Sequence, residues 1–211
     1  MPKKIDLSGI WRSVAGFYPY YDENGGNCTR ILLDDGREIS YVRKTKSILK
    51  GLAEIFAVDL ISLRRRYGSI VGKKNCIPLP LHGEFIVVPL KVRRTLSKDQ
   101  GALGYVVLNK VVDCIEEGEG EARCSLKLVG GTFFPCMEKI ITVKNRLRDA
   151  QFIKEEYYRF FSSCSLKNGS DESQRGILSP GGLVVYHLHC CSKDYPLVRV
   201  EQDLVKDWKK E

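Results

Sequence analysis

Long hydrophobic runs are largely missing from this sequence. Its strongest apolar stretches, Phe85 to Leu90 and Leu103 to Leu108, span six residues each, where a bilayer-crossing helix needs about 18. No membrane partner is expected. The first residues, Met-Pro-Lys-Lys-Ile-Asp-Leu-Ser, lack the apolar core and small-residue cleavage site of a secretory signal, so a cytoplasmic location is expected. Nucleotide and nucleophile signatures are also missing: there is no Walker-type loop, no Gly-x-Gly-x-x-Gly and no Gly-x-Ser-x-Gly. The nearest approach is Gly68-Ser-Ile-Val-Gly72-Lys73-Lys74. It has three residues between its glycines where a phosphate loop needs four, and Lys74 stands in place of Ser or Thr.

Histidine is scarce, at three residues, and no Cys-x-x-Cys pair occurs. His187-Leu188-His189-Cys190-Cys191 is the one run of metal-ligating types. His187 and His189 would share a strand face, but Cys190 and Cys191 sit too close together to complete a tetrahedron, so buried strand residues are expected and no metal. Pairing Cys136 with His82 as a nucleophile and base would be arbitrary. The acids from Glu116 to Glu121 read as a solvated turn rather than a catalytic carboxylate pair. No enzyme and no cofactor are expected.

Acidic residues are missing from one region in particular. Between Arg37 and Lys98 there are 14 Lys and Arg against four Asp and Glu, an excess of ten positive charges, whereas the rest of the chain holds 20 against 22. The overall charge of +8 therefore comes from one stretch. A concentrated positive charge can hold a polyanion, because each cation placed on a phosphate releases condensed counterions. The candidate contacts are Arg43, Lys44, Arg64, Arg65, Arg66, Lys73, Lys74, Arg93 and Arg94, with Arg146 and Arg148 second. The arginines are expected in turns and at strand ends, within reach of a phosphate backbone or a minor groove. Tyr67, beside Arg64 to Arg66, could pack on a sugar or base. The partner expected is double-stranded DNA. The alternative is a protein-interaction adaptor whose basic face docks an acidic protein.

Eight cysteines are present, at 28, 76, 114, 124, 136, 164, 190 and 191. Most lie in or beside apolar segments, where a free thiol behaves as a small hydrophobe. With no oxidising compartment indicated, reduced thiols are expected.

The hydrophobic pattern predicts an α+β fold with a central, mostly antiparallel sheet and two to three helices. Residues 1–27 read as an irregular lead-in. Thr29 to Leu33 and Glu38 to Val42 flank Asp34-Asp35-Gly36 as a hairpin. Thr45 to Leu60 has helical spacing, and 61–75 reads as strand or loop. Ile77 to Leu81, with two prolines, reads as an edge or bend. Glu84 to Val92 and Leu103 to Val112 read as strands joined by a basic loop. Ala122 to Val129 alternates, with Cys124, Leu126 and Leu128 facing inward, before a turn at Gly130-Gly131. Thr142 to Phe161 is the second helix, residues 165–182 a loop, Leu183 to His189 a strand, and Val200 to Trp208 a closing helix.

In this order the segments resemble the competence transcription factor ComK family over roughly residues 28–155. The resemblance rests on Ile31-Leu-Leu-Asp-Asp-Gly-Arg-Glu-Ile for a hairpin and Ser62-Leu-Arg-Arg-Arg-Tyr-Gly for a Ser-basic stretch. Cys76-Ile-Pro-Leu leads into the strand Glu84-Phe-Ile-Val-Val-Pro89, and Thr142-Val-Lys-Asn-Arg-Leu-Arg opens a helix. Val88 stands where the family has an aromatic, and Leu103-Gly-Tyr-Val replaces its Cys-x-Trp-Ile strand. The resemblance implies a cytoplasmic transcriptional regulator that binds AT-rich boxes, through minor-groove contacts, as an oligomer on paired sites. The expected organisation is a ComK-like DNA-binding domain in residues 1–164, with 165–211 a loop, strand and helix that either join the same domain or form a separate regulatory tail.

Overall fold

A computed structural model of the chain describes residues 6–95, 101–118 and 122–166. Among these residues two antiparallel sheets and four α-helices make an α+β fold. The larger sheet has six strands in the order β3-β2-β1-β6-β5-β4, and the smaller has three in the order β7-β8-β9.

The lead-in is more regular than its glycines and proline suggest. Helix α1 (Leu7–Ile10) and a 3-10 turn (Trp11–Ser13) precede β1 (Val14–Tyr21), which lies inside the larger sheet. Pro19 is tolerated there because β1 pairs with β6 (Leu103–Val107) only at Gly16 and Phe17. Past that point the missing N–H faces no neighbouring strand on the β6 side. The hairpin of β2 (Asn27–Leu33) and β3 (Glu38–Tyr41) forms as predicted, with Gly36 at φ +86° in its turn.

Thr45 to Leu60 does not run on as one helix. Helix α2 (Thr45–Ile55) stops where Ala57 turns to φ +51°, and α3 (Leu60–Val71) starts afresh. The stretch expected to be strand or loop is therefore mostly helix. Next come β4 (Leu79–His82), an edge strand as Pro80 and the preceding Pro78 indicate, and β5 (Phe85–Lys91). Leu103 to Val112 is also divided. A 3-10 turn at Leu108–Lys110 hands the chain from β6 to β7 (Val111–Glu116) in the smaller sheet, which β8 (Cys124–Leu128) and β9 (Phe133–Cys136) complete. Helix α4 (Ile140–Leu166) is longer than its periodic stripe.

The larger sheet is covered on both faces, so β2, β5 and β6 bury consecutive residues, whereas the edge strand β3 alternates. Phe85 and Val87 of β5, Ile31 and Leu33 of β2 and Tyr105 of β6 pack with Ile48, Leu49 and Leu52 of α2. Their neighbours Ile86, Val88, Leu32 and Val106 face the other way, onto Leu126, Leu128 and Phe134 of the smaller sheet and Val143 and Ala150 of α4. Two glycines seat Phe134: a Cβ at Gly104 would lie 2.7 Å from its ring, and one at Gly16 3.2 Å. The expected alternation of β8 holds for Cys124, Leu126 and Leu128. Ser125 is buried as well, because its hydroxyl donates to the Glu117 carboxylate.

Candidate nucleic-acid interface

Helix α3 carries the densest basic cluster. Asp59 caps it, its carboxylate accepting from Ser62 N–H at 2.7 Å. That bond holds the Asp59 carboxyl below its ordinary range. At the other end Gly72 adopts φ +64°, and its N–H donates back to the Gly68 and Ser69 carbonyls. The Gly68-to-Lys74 segment is thus a helix C-terminus, whose dipole points the opposite way from a phosphate loop. Leu63, Tyr67 and Val71 form the inner stripe and pack with Ile77 and with Ile153 and Tyr157 of α4. Tyr67 is only 3% exposed, and burial pushes its hydroxyl pKa up, so it cannot reach a sugar or base.

Burying that stripe leaves Arg64, Arg65 and Arg66 in solvent, on a helix rather than in a turn. They separate by helical angle. Arg64 reaches the Tyr105 hydroxyl, where its charge partly offsets the upward push of burial on Tyr105. Arg66 lies 3.9 Å above the Phe160 ring. Arg64 and Arg65 line an open cleft of about 450 Å³ together with Gly68, Ser69, Lys73 and Lys74. The Asp149 carboxylate on α4 enters this group and pairs with Lys73, and the capping Asp59 carboxylate acts on Arg65.

The remaining candidates divide. Arg43 and Lys44 are exposed at the start of α2, and neither lines the α3 cleft. Arg93 is turned inward: it donates to Asn27 Oδ1 at 2.7 Å and the Gly101 carbonyl at 3.0 Å, and it covers the Tyr21 ring. Desolvation lowers its pKa. Arg146 is likewise half-buried, donating to both oxygens of Glu138 and to the Pro89 carbonyl. Both are internal struts, not free surface guanidiniums. Arg148 is exposed on α4, and Arg94 lines a second cleft with Lys91, Arg123 and Lys139. Sequence reasoning missed Lys91, Arg123 and Lys139. They come from three separate segments; Lys91 lies in the basic stretch beside Arg93 and Arg94, whereas Arg123 and Lys139 lie outside it.

No family model, curated protein or solved structure matches the chain.

Cys28, Cys76, Cys114, Cys124 and Cys136 are free thiols. Cys124 and Cys136 face each other across β8 and β9, and burial pushes both thiols up. Cys136 packs on one face of the larger sheet, whereas His82 stacks on Phe56 on the other. Among the described residues no three His, Cys, Asp or Glu side chains are grouped to hold a metal ion. No helix among them is long and apolar enough to cross a membrane. His187, His189, Cys190 and Cys191, and the elements expected from residue 167 onward, lie outside the described residues.

Proposed function

We propose that this chain is a cytoplasmic, non-enzymatic, ComK-like regulator of transcription that binds double-stranded, AT-rich DNA, as a homo-oligomer on paired sites. What supports the reading is the α3 cleft. Arg64, Arg65, Lys73 and Lys74 converge there on one open surface, where Asp149 pairs with Lys73 and the Asp59 carboxylate lies within electrostatic reach of Arg65. Such a surface takes up phosphates and releases their counterions. Arginine side chains entering the narrow, electronegative minor groove of A-tracts gain further electrostatic energy without reading base edges, which favours AT-rich sites.

The test is a salt titration of binding to AT-rich and GC-rich duplexes of equal length. The expected result is a steep slope of log affinity against log salt with preference for the AT-rich duplex. Arg65→Ala and Lys74→Ala should each lower affinity across sequences and flatten the slope by about one. Failure to bind either duplex at low salt would overturn the reading. So would tight 1:1 binding to an acidic protein alongside only weak, length-insensitive binding to DNA.

A further inference from the structure

The second cleft opens beside the start of α4, has a volume of about 580 Å³, and is ringed by Lys91, Arg94, Arg123 and Lys139. Backbone pairing fixes where these cations stand. Met137 N–H donates to the Lys91 carbonyl at 2.8 Å, and Lys91 N–H donates to Glu138 Oε2 at 3.0 Å. Arg123 N–H donates to the Cys136 carbonyl at 2.9 Å. The end of β5, the start of β8 and the segment before α4 are therefore joined at one point, each bringing a basic side chain.

Among the described residues, Glu138 is the one carboxylate that lines this cleft. Arg146 holds both of its oxygens, and the two side chains are only 15% and 14% exposed. Its charge is spent internally. The four cations at the rim are exposed, and among the described residues none has an ion-pair partner. Like charges gathered around one opening repel one another, and an anion from solution relieves that repulsion.

Helix α4 relates the two clefts. Thr142 lines the second, and Asp149 meets the first through Lys73. Residues seven apart lie on one face of a helix, about 10 Å apart along its axis. That offset along α4 equals the axial advance of about three nucleotides of one B-DNA strand, at about 3.4 Å of duplex axis each.

We infer that the cleft of Lys91, Arg94, Arg123 and Lys139 is a second phosphate-binding site, which grips backbone phosphates of the same duplex held at α3. The inference rests on the DNA-binding reading above and extends it to a bipartite footprint. Glu138 and Arg146 act as positioning residues, with Arg146 preventing the carboxylate from neutralising the rim.

The experiment is the same salt titration on the full chain, comparing wild type with three variants. One removes the first cleft (Arg65→Ala with Lys74→Ala), and one removes the second (Arg94→Ala, Arg123→Ala and Lys139→Ala). The third replaces Arg94 and Arg123 with Lys. The second-cleft variant should lose at least about tenfold in affinity at low salt, and its slope should flatten by about two to three. The lysine variant should keep the wild-type slope, and all three should melt like wild type because only exposed side chains change. If the first-cleft variant weakens while the second-cleft variant keeps wild-type affinity and slope, the second site is overturned and the α3 reading stands. Absence of DNA binding by the wild type overturns both.

Discussion

Arg64, Arg65, Arg66, Arg93 and Arg146 meet three kinds of surroundings, and these decide what each can do. Arg64 and Arg65 stand at a cleft with little opposing charge. Arg66 and Arg93 lie over aromatic rings, at 3.9 Å and 4.2 Å. Arg146 is clamped on a carboxylate with most of its surface covered. Removing an arginine of the third kind leaves a half-buried acid without its partner, so effects of Arg146 substitutions on binding are entangled with folding. The cysteines show the same dependence on surroundings. Reactivity belongs to the thiolate, and burial keeps the Cys124 and Cys136 thiols protonated. Peptide mapping after iodoacetamide treatment at neutral pH should find both unalkylated in the native protein and alkylated once it is unfolded. Rapid native labelling of either would show that the smaller sheet opens.

At the scale of elements, α3 matters most, and its start depends on one side chain. Asp59 Oδ1 accepts from Ser62 N–H, and the bond favours the ionised form. A carboxyl whose folded pKa is depressed stabilises the folded state above its unfolded pKa. That contribution is lost as pH falls through the folded value. Asp59→Ala should therefore lower the melting temperature at pH 7 by a few degrees. The difference from wild type should shrink as pH drops below 3.8, the ordinary value for Asp. Asp59→Asn, whose amide oxygen can still cap, should retain most of the stability. A gap between wild type and Asp59→Ala that stayed constant from pH 7 to low pH would rule out an ionised cap. The break between α2 and α3 gives Asp59 this role, since a continuous helix would have no N-terminus there.

For the molecule as a whole, the decisive contact is between the two sheets. Phe134 is fully buried, seated against Gly16 and Gly104, with Tyr18 edge-on at 5.4 Å between ring centres. The two hairpin turns also touch. A Cβ at Gly130 would lie 2.6 Å from the Asp34 carbonyl oxygen and the Gly36 nitrogen, and the Lys110 ammonium pairs with Asp34 at 2.6 Å. Phe134→Ala should cost about 3–5 kcal/mol in denaturant unfolding, the range for emptying an aromatic site in a core. It removes no exposed cation, so the folded fraction should bind DNA with the wild-type salt slope. A loss below about 1 kcal/mol would mean that the smaller sheet is not part of the same cooperative unit.

The fold class, the β2–β3 hairpin, the edge character of β4, the inward face of β8 and most of α4 were legible in the chain. Each depends on a local period or on turn chemistry. So was the concentration of charge that directed attention to α3. Local reading failed wherever a distant partner decided the outcome. Residues 61–75 look too basic for a core helix, yet Ile77, Ile153 and Tyr157 bury the Leu63–Tyr67–Val71 stripe and leave the arginines outside. The β1 segment became an inner strand because β2 and β6 pair on either side of it. The shortage of acids near the basic stretch was partly remedied in space. Asp149 lies 76 residues from Lys73 in sequence and yet pairs with it. Of the second cleft, only Arg94 stood out in the sequence. Lys91, Arg94, Arg123 and Lys139 converge only when β5, β8 and α4 pack together. Local sequence determined which segments could become strands or helices. Only tertiary packing decided which charges remained free, because neutralising a charge depends on distance in space and not on separation along the chain.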